Sequence, residues 1–143
     1  MKGSDAASRE IAIRQVLNFF DFDPTATYGA LGNEIARLLI PLVGREAIVE
    51  PVSLSSSTLF GPDGAPAHDA YDHVIGPVDL EKAPRETFAA IAAAVRAGGS
   101  AILIDKNRDK EKAELLVAPK VDGFSKHLVI NLSQYHLALV LKK

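Results

Sequence analysis

The order of the apolar segments in the second half of the chain sets the tightest limit on its fold. Tyr71 to Gly76 is a short apolar run that stops at Gly-Pro, which predicts a buried strand. Pro84 to Ala97 is rich in alanine and closes on Gly98-Gly99, which predicts a helix. Ala101 to Asp105 predicts a second buried strand, ending on an acid. A charged helix is expected from about Asp109 to Leu116, stopped by Pro119, with a turn at Asp122-Gly123. Leu128 to Leu132 and His136 to Leu141 then predict two strands, and the connection at Ser133-Gln134 is short enough to make them antiparallel neighbours. Strands alternating with helices argue for a mainly parallel sheet covered on both faces, with the hairpin at or near one edge. Lys142 and Lys143 add charge that discourages further edge pairing.

The first half is less regular. Ser8 suits an N-cap, and Ile13, Val16, Leu17 and Phe20 repeat at helical spacing, predicting an amphipathic helix from about Arg9 to Phe20. A competing reading makes Gln15 to Phe20 a buried strand. Pro24 ends either one, because it pushes Asp23 out of the helical region. Thr25 or Thr27 can cap a second helix, with Leu31, Ile35, Leu38, Leu39 and Leu42 on one face and Gly44 as its stop. Gly29 and Gly32 lie one turn apart in that reading, which suggests close packing against another backbone or a ligand at the helix start. Ala47 to Val52 predicts a strand, although Pro51 denies it a central position at that residue. Ser53 to Ala70 reads as a long serine-, proline- and glycine-rich loop, functional or mobile. One α/β domain over 1–143 is expected, helical over 1–45 and strand–helix over 46–143.

Composition narrows the partners. With 143 residues, 48% apolar and 24% charged, the chain has the make-up of a folded domain. A net charge of -2 provides no field for nucleic acid or an anionic membrane, so neither is expected as a partner. The absence of cysteine removes disulfides, thiolate chemistry and cysteine–metal sites. Met1 to Glu10 lacks the apolar core of a signal peptide, and the run Leu38 to Val43 is too short to span a bilayer. A cytoplasmic protein is the expectation.

From about Ala47 to Lys143, the motif order resembles the C-terminal half of class I S-adenosylmethionine-dependent methyltransferases. That family leads into a strand through a loop of the type LPF-PDG-FD. Here Thr58 to Gly64 and then Tyr71-Asp72 stand in that place. Val95 to Gly99 loosely matches the family's helix end L-PGG, and Ala101 to Asp105 its next strand. Ala113 to Val117, Gly123-Phe124 and Leu128 to Lys143 match its closing helix, Gly-Phe and hairpin. The resemblance implies a Rossmann-like three-layer α/β sandwich, mainly parallel, with a C-terminal antiparallel hairpin, in reduced methyltransferase-like form. It also implies a cofactor site: a strand, an acidic glycine-rich turn, and a second strand ending in an acid that bonds the ribose.

The stretch available for that turn is Asp21 to Gly32, with Asp21, Asp23, Gly29 and Gly32 as cofactor-binding candidates. Pro24 and bulky residues occupy places where the backbone should be bare. If Gln15 to Phe20 is the first strand, Glu50 becomes the ribose acid, and Ser53 to Ala70 is too short for the missing strand and helices. If Ala47 to Val52 is the third strand, both cofactor strands are absent. Ligands in open α/β sheets sit beyond the carboxyl ends of strands, which adds Gly76, Pro77 and Asp105 to the candidate set.

Three functions are compatible with these residues. The first is a degenerate methyltransferase-like domain without bound cofactor, a binding, assembly or regulatory module. It would pair with itself or another protein through Gly29, Gly32 and the apolar terminal strand. The second is an active S-adenosylmethionine-dependent methyltransferase of a small molecule, with Asp21, Asp23 and Glu50 around the cofactor and Ser53 to Ala70 as a lid. The third is a small flavodoxin-like nucleotide-binding domain whose Ser55 to Thr58 stretch wraps a phosphate. No catalytic residue can be assigned. His68, His73, His127 and His136 lack a metal spacing, although His127 and His136 could approach across the hairpin. Asp69 and Asp72 form either an acid pair or a solvated loop end. The serines lie in no Gly-x-Ser-x-Gly elbow, and no phosphate-binding Gly-Lys-Ser/Thr loop is present.

Overall fold

In the computed structural model, helix α1 (Lys2–Phe19) leads to the amino end of strand β1 (Thr27–Leu31). There follow α2 (Asn33–Val43), β2 (Ile48–Leu54), β3 (Leu59–Phe60), β4 (Tyr71–Pro77) and α3 (Arg85–Ala94). The chain closes with β5 (Val95–Lys106), α4 (Lys110–Val117), β6 (Lys126–Asn131) and β7 (His136–Lys142). The structure describes residues 2–55, 57–106, 109–121, 123–132 and 136–143, and side chains from Glu10 onward. The expected connection at Ser133-Gln134, and Asp122 of the expected turn, lie outside the described residues.

The strands form one seven-stranded mixed sheet in the order β3-β2-β1-β4-β5-β7-β6. β2, β1, β4 and β5 are parallel, β3 is antiparallel to β2, and β7 is antiparallel to both β5 and β6. Alternation along each strand feeds two cores. Tyr28, Ala30, Ile75, Ile102 and Ile104 pack with Ile13, Leu17, Ile35 and Leu39 of α1 and α2. Leu31, Val74, Leu103 and Leu139 pack with Phe88, Ile91, Ala113 and Val117 of α3 and α4. Two buried faces with helices on each make the three-layer sandwich.

Several expectations need correction. Gln15 to Phe19 is helix, not strand, and α1 starts at Lys2, so Ser8 lies inside it rather than capping it. Thr27 to Leu31 is strand β1, not the first turns of a helix; α2 begins only at Asn33. Tyr28 to Leu31 are all buried, Tyr28 and Ala30 in the core under α1 and α2 and Leu31 in the core under α3 and α4, a period of two that small residues hide in the sequence. The Ser53 to Ala70 segment contains β3, which returns on β2 as an antiparallel hairpin pairing Ser53 with Phe60 and Leu54 with Leu59. A parallel third strand would need a crossover of a dozen or more residues, which this segment does not provide. Helix α3 stops at Ala94, short of Ala97, because Val95 turns extended and pairs with Tyr71.

Pro51 sits as expected. The N–H of Ile48 bonds Ala26 O, and Val52 O accepts from Gly32 N, so even-numbered β2 residues face β1. The missing N–H of Pro51 therefore faces the other side, where β3 pairs only with Ser53 and Leu54.

Candidate functional site

The chain leaves β1 toward β2 on one side and reaches β4 on the other, so the carboxyl ends of β1 and β4 mark the topological switch point. At that mouth β1 is followed by Gly32, which has φ 102° and ψ 158°, a conformation reserved for glycine. A Cβ built on Gly32 would meet nothing within 4 Å, so the corner is open. Helix α2 starts directly after it, without a side-chain cap. Ala36 N is the donor to Gly32 O, so the amides of Asn33, Glu34 and Ile35 precede the helical ladder and point toward the mouth.

The turn between strand and helix is only Gly32 long. Its own N–H already bonds Val52 O at 3.2 Å and Ala30 O at 2.9 Å, extending the β1–β2 ladder to the helix. No wrapped loop of bare amides intervenes.

Beyond β4, Val78 N donates to Ile104 O and ties the chain to β5. Asp79 Oδ1 accepts from the amides of Glu81 (3.0 Å) and Lys82 (3.3 Å) and organises the turn before α3. Desolvation pushes the Asp79 carboxyl up, but those amides and the ammonium groups of Lys106 and Lys82 outweigh it and hold it below its ordinary value. Asp105, at the end of β5, is buried and accepts from Leu80 N at 3.3 Å. Two hollows flank the Pro77–Asp79 segment. One, of about 370 Å³, lies toward Ile13, Asp105, Lys106 and His136, and the other, of about 350 Å³, toward Leu54, Ser55, Lys82 and Thr87. Each is at the lower end of the volume a small-molecule ligand occupies.

The proposed site residues thus separate into groups. Gly32, Pro77 and Asp105 do line the strand mouths. Gly76 lies next to them but offers no bare surface, because the Leu31 side chain occupies the space a Cβ would take. Gly29 sits inside β1 under the Tyr71 ring, whose Cδ2 would be 3.0 Å from its Cβ. Both are packing glycines. Glu50 lies midway along β2, where its Oε2 accepts from the Tyr71 hydroxyl at 2.9 Å. Burial and that carboxylate push the phenol up. The pair borders a separate hollow of about 450 Å³ under the Gly61–Ala70 segment. Asp21 and Asp23 precede β1 and so stand at the opposite end of the sheet from Gly32. Asp23 Oδ1 accepts from both the amide and the hydroxyl of Thr25 at 2.8 Å, a turn-forming role.

Lys82 and Lys106 were not among the candidates for the strand mouth, and His136 was weighed only as a partner of His127. The hairpin places it: β7 runs antiparallel to β5, so its first residue must lie at the mouth of β5, opposite Lys106. His127 pairs with Leu141 at the far end of that hairpin, so the two histidines do not meet. Asp69 and Asp72 are not an acid pair either. Asp69 bonds Lys143, while Asp72 accepts from Thr27 N at 2.9 Å and from Arg96 at 3.3 Å. Ser55 turns its hydroxyl and amide to Thr58 O, closing a local turn. Among the described residues, no group of histidines and acids could hold a metal, and no helix is long and apolar enough to cross a membrane.

No protein-family model and no curated protein matches the sequence. Solved structures do match the fold. A SAM-dependent methyltransferase from Aquifex aeolicus superposes with a TM-score of 0.62 at 11% identity, over 89% of this chain and 86% of its own. The 1,6-didemethyltoxoflavin-N1-methyltransferase of Burkholderia thailandensis, with S-adenosylhomocysteine bound, gives 0.63 at 12% identity, over 99% of this chain and 82% of its own. A possible exported protein from Bordetella parapertussis gives 0.61 at 10% identity, over 95% of this chain and 67% of its own. The fold is class I methyltransferase-like. The parallel run β2-β1-β4-β5 follows the same order as the first four strands of a flavodoxin-like 2-1-3-4-5 sheet, but here it continues with β7, which is antiparallel to β5.

Proposed function

We propose that this domain is a non-catalytic binding and assembly module that keeps a methyltransferase-like architecture without using the ordinary cofactor. The observation that carries this is the one-residue passage from β1 to α2 through Gly32, whose amide is already bonded to Val52 O. A nucleoside cofactor held at this switch point needs a loop whose amides are free to approach it. Glu50, the acid proposed for the ribose, is engaged with Tyr71 instead. The module works in the cytoplasm with protein partners rather than nucleic acid or membrane.

A second reading is an active S-adenosylmethionine-dependent methyltransferase of a small molecule with a minimal cofactor corner. It draws on the open Gly32 corner and on neighbours whose names include bound S-adenosylhomocysteine. Thermal unfolding with S-adenosylmethionine and S-adenosylhomocysteine separates the two. A cofactor present at a hundred times its dissociation constant adds about 2.7 kcal/mol of stability. No shift at millimolar cofactor is the expected result, and a saturable shift that Gly32→Val abolishes overturns the non-catalytic reading.

A further inference from the structure

We propose that the β6 edge of the sheet is the surface through which two copies of this chain pair, strand to strand, about a two-fold axis. The proposal gives a partner to the binding-module reading above. The two edges of the sheet differ in kind. At one end β3 has only two residues, and the following segment folds back on it through a Phe60–Pro66 bridge. At the other end β6 has six residues, all registered against β7, with no bulge and no proline. Natural proteins protect exposed edges with short strands, proline, bulges or charge; β3 is protected in this way, whereas β6 carries only Lys126 at its start.

The direction of the free groups follows from hydrogen bonds elsewhere in the sheet. Lys143 N donates to Gly99 O, so odd-numbered β7 residues face β5. Lys142 O accepts from Ser125 N, so even-numbered β7 residues face β6. Through the pairs Leu128–Val140 and Ile130–Ala138, even-numbered β6 residues face β7. The amides and carbonyls of His127, Val129 and Asn131 therefore point outward. None of them has a backbone partner among the described residues.

An antiparallel pairing centred on Val129 satisfies all of them. Val129 pairs with the second copy's Val129, and His127 with the second copy's Asn131, in both directions. Side chains agree with this register on each face. Leu128, 54% exposed, falls opposite the second copy's Ile130, so that two apolar pairs cover each other. His127 and Asn131, both exposed, face each other as polar partners. Lys126 falls opposite Leu132, so no like charges meet. Such a contact is isologous, and it closes after two copies.

Analytical ultracentrifugation over a concentration series tests this on the full chain. The expected mass rises from that of one chain toward that of two. His127→Pro removes an outward N–H without touching the β7 ladder, and Leu128→Lys places a charge at the pair. Both are expected to stay at one-chain mass across the series, with circular dichroism like that of the unsubstituted protein and a thermal midpoint close to its value at concentrations where it is a single chain. A wild-type chain that is monomeric throughout overturns the proposal. So does a dimer that survives both substitutions, or one lost only with Phe19→Lys on the α1 face. If His127→Pro misfolds, Leu128→Lys alone decides. Cofactor binding is read separately: a thermal shift with S-adenosylmethionine removes the non-catalytic reading and leaves the dimer standing.

Discussion

Gly76 and His73 show how single residues in β4 are committed. Gly76 is glycine because Leu31 of the neighbouring strand lies across it, and a Cβ would overlap Leu31 side chain and backbone. Gly76→Ala is expected to destabilise the domain by about 1–3 kcal/mol through overpacking. Urea unfolding measures this, and adding Leu31→Gly, which removes the Cβ that the new methyl would meet first, should make Gly76→Ala cost less than it does beside Leu31 if the clash is the cause. His73 Nδ1 lies 2.7 Å from Ser100 Oγ, with its ring 5.2 Å from that of Tyr28. Burial lowers its pKa from the ordinary value of 6.5, and Lys142 lowers it further, against the attraction of Asp72 and Asp23. The native state thus binds this proton less readily than the unfolded chain. Its contribution to stability is full above about pH 6.5 and is lost as pH falls from there through the lowered folded value. Unfolding free energies measured between pH 7.5 and 5 should decline, and His73→Gln should flatten the decline.

At the scale of elements, α3 depends on a residue distant in sequence. Its last turn holds no basic side chain to face its terminal carbonyls. Lys143 supplies one: its Nζ donates to Ala92 O at 2.7 Å and to Val95 O at 2.6 Å, with Asp69 Oδ1 at 3.3 Å. The Lys143 hydrogen bond is the main reason the Asp69 carboxyl lies below its ordinary value. Lys143→Met keeps the aliphatic stem and removes the charge, and should cost about 1–2 kcal/mol, read by thermal unfolding. The elements also show what could be read from the chain alone. Tyr71 to Gly76, Ala101 to Asp105 and the closing hairpin were legible because their apolar runs have no competing helical period. Thr27 to Leu31 was not. It has two small residues among five, and Leu31 also fits the helical spacing of Ile35, Leu38 and Leu39, so the helix absorbed the strand. The mouth of the sheet was legible at Pro77 and Asp105 because strand ends can be placed from sequence. Whether Gly29 and Gly76 faced a ligand or a neighbour depended on Tyr71 and Leu31, which only the assembled sheet brings near.

For the whole molecule, the seam between β1 and β4 has a consequence for how the chain can be divided. Strands β1 to β3 lie on one side of it and β4 to β7 on the other, joined across the sheet by the pairs Tyr28–His73, Gly29–Val74 and Ala30–Ile75, while α1 crosses the seam to pack on β7. The link between the two halves, Pro62 to Pro66, is exposed. A backbone cut there would free two pieces, each carrying apolar surface that the other covers, with Ile75, Ile102 and Ala138 on one and Leu17, Tyr28 and Leu39 on the other. Each piece is in effect the ligand of its complement, so the domain is suited to use as a split reporter whose reassembly signals that two attached proteins have met.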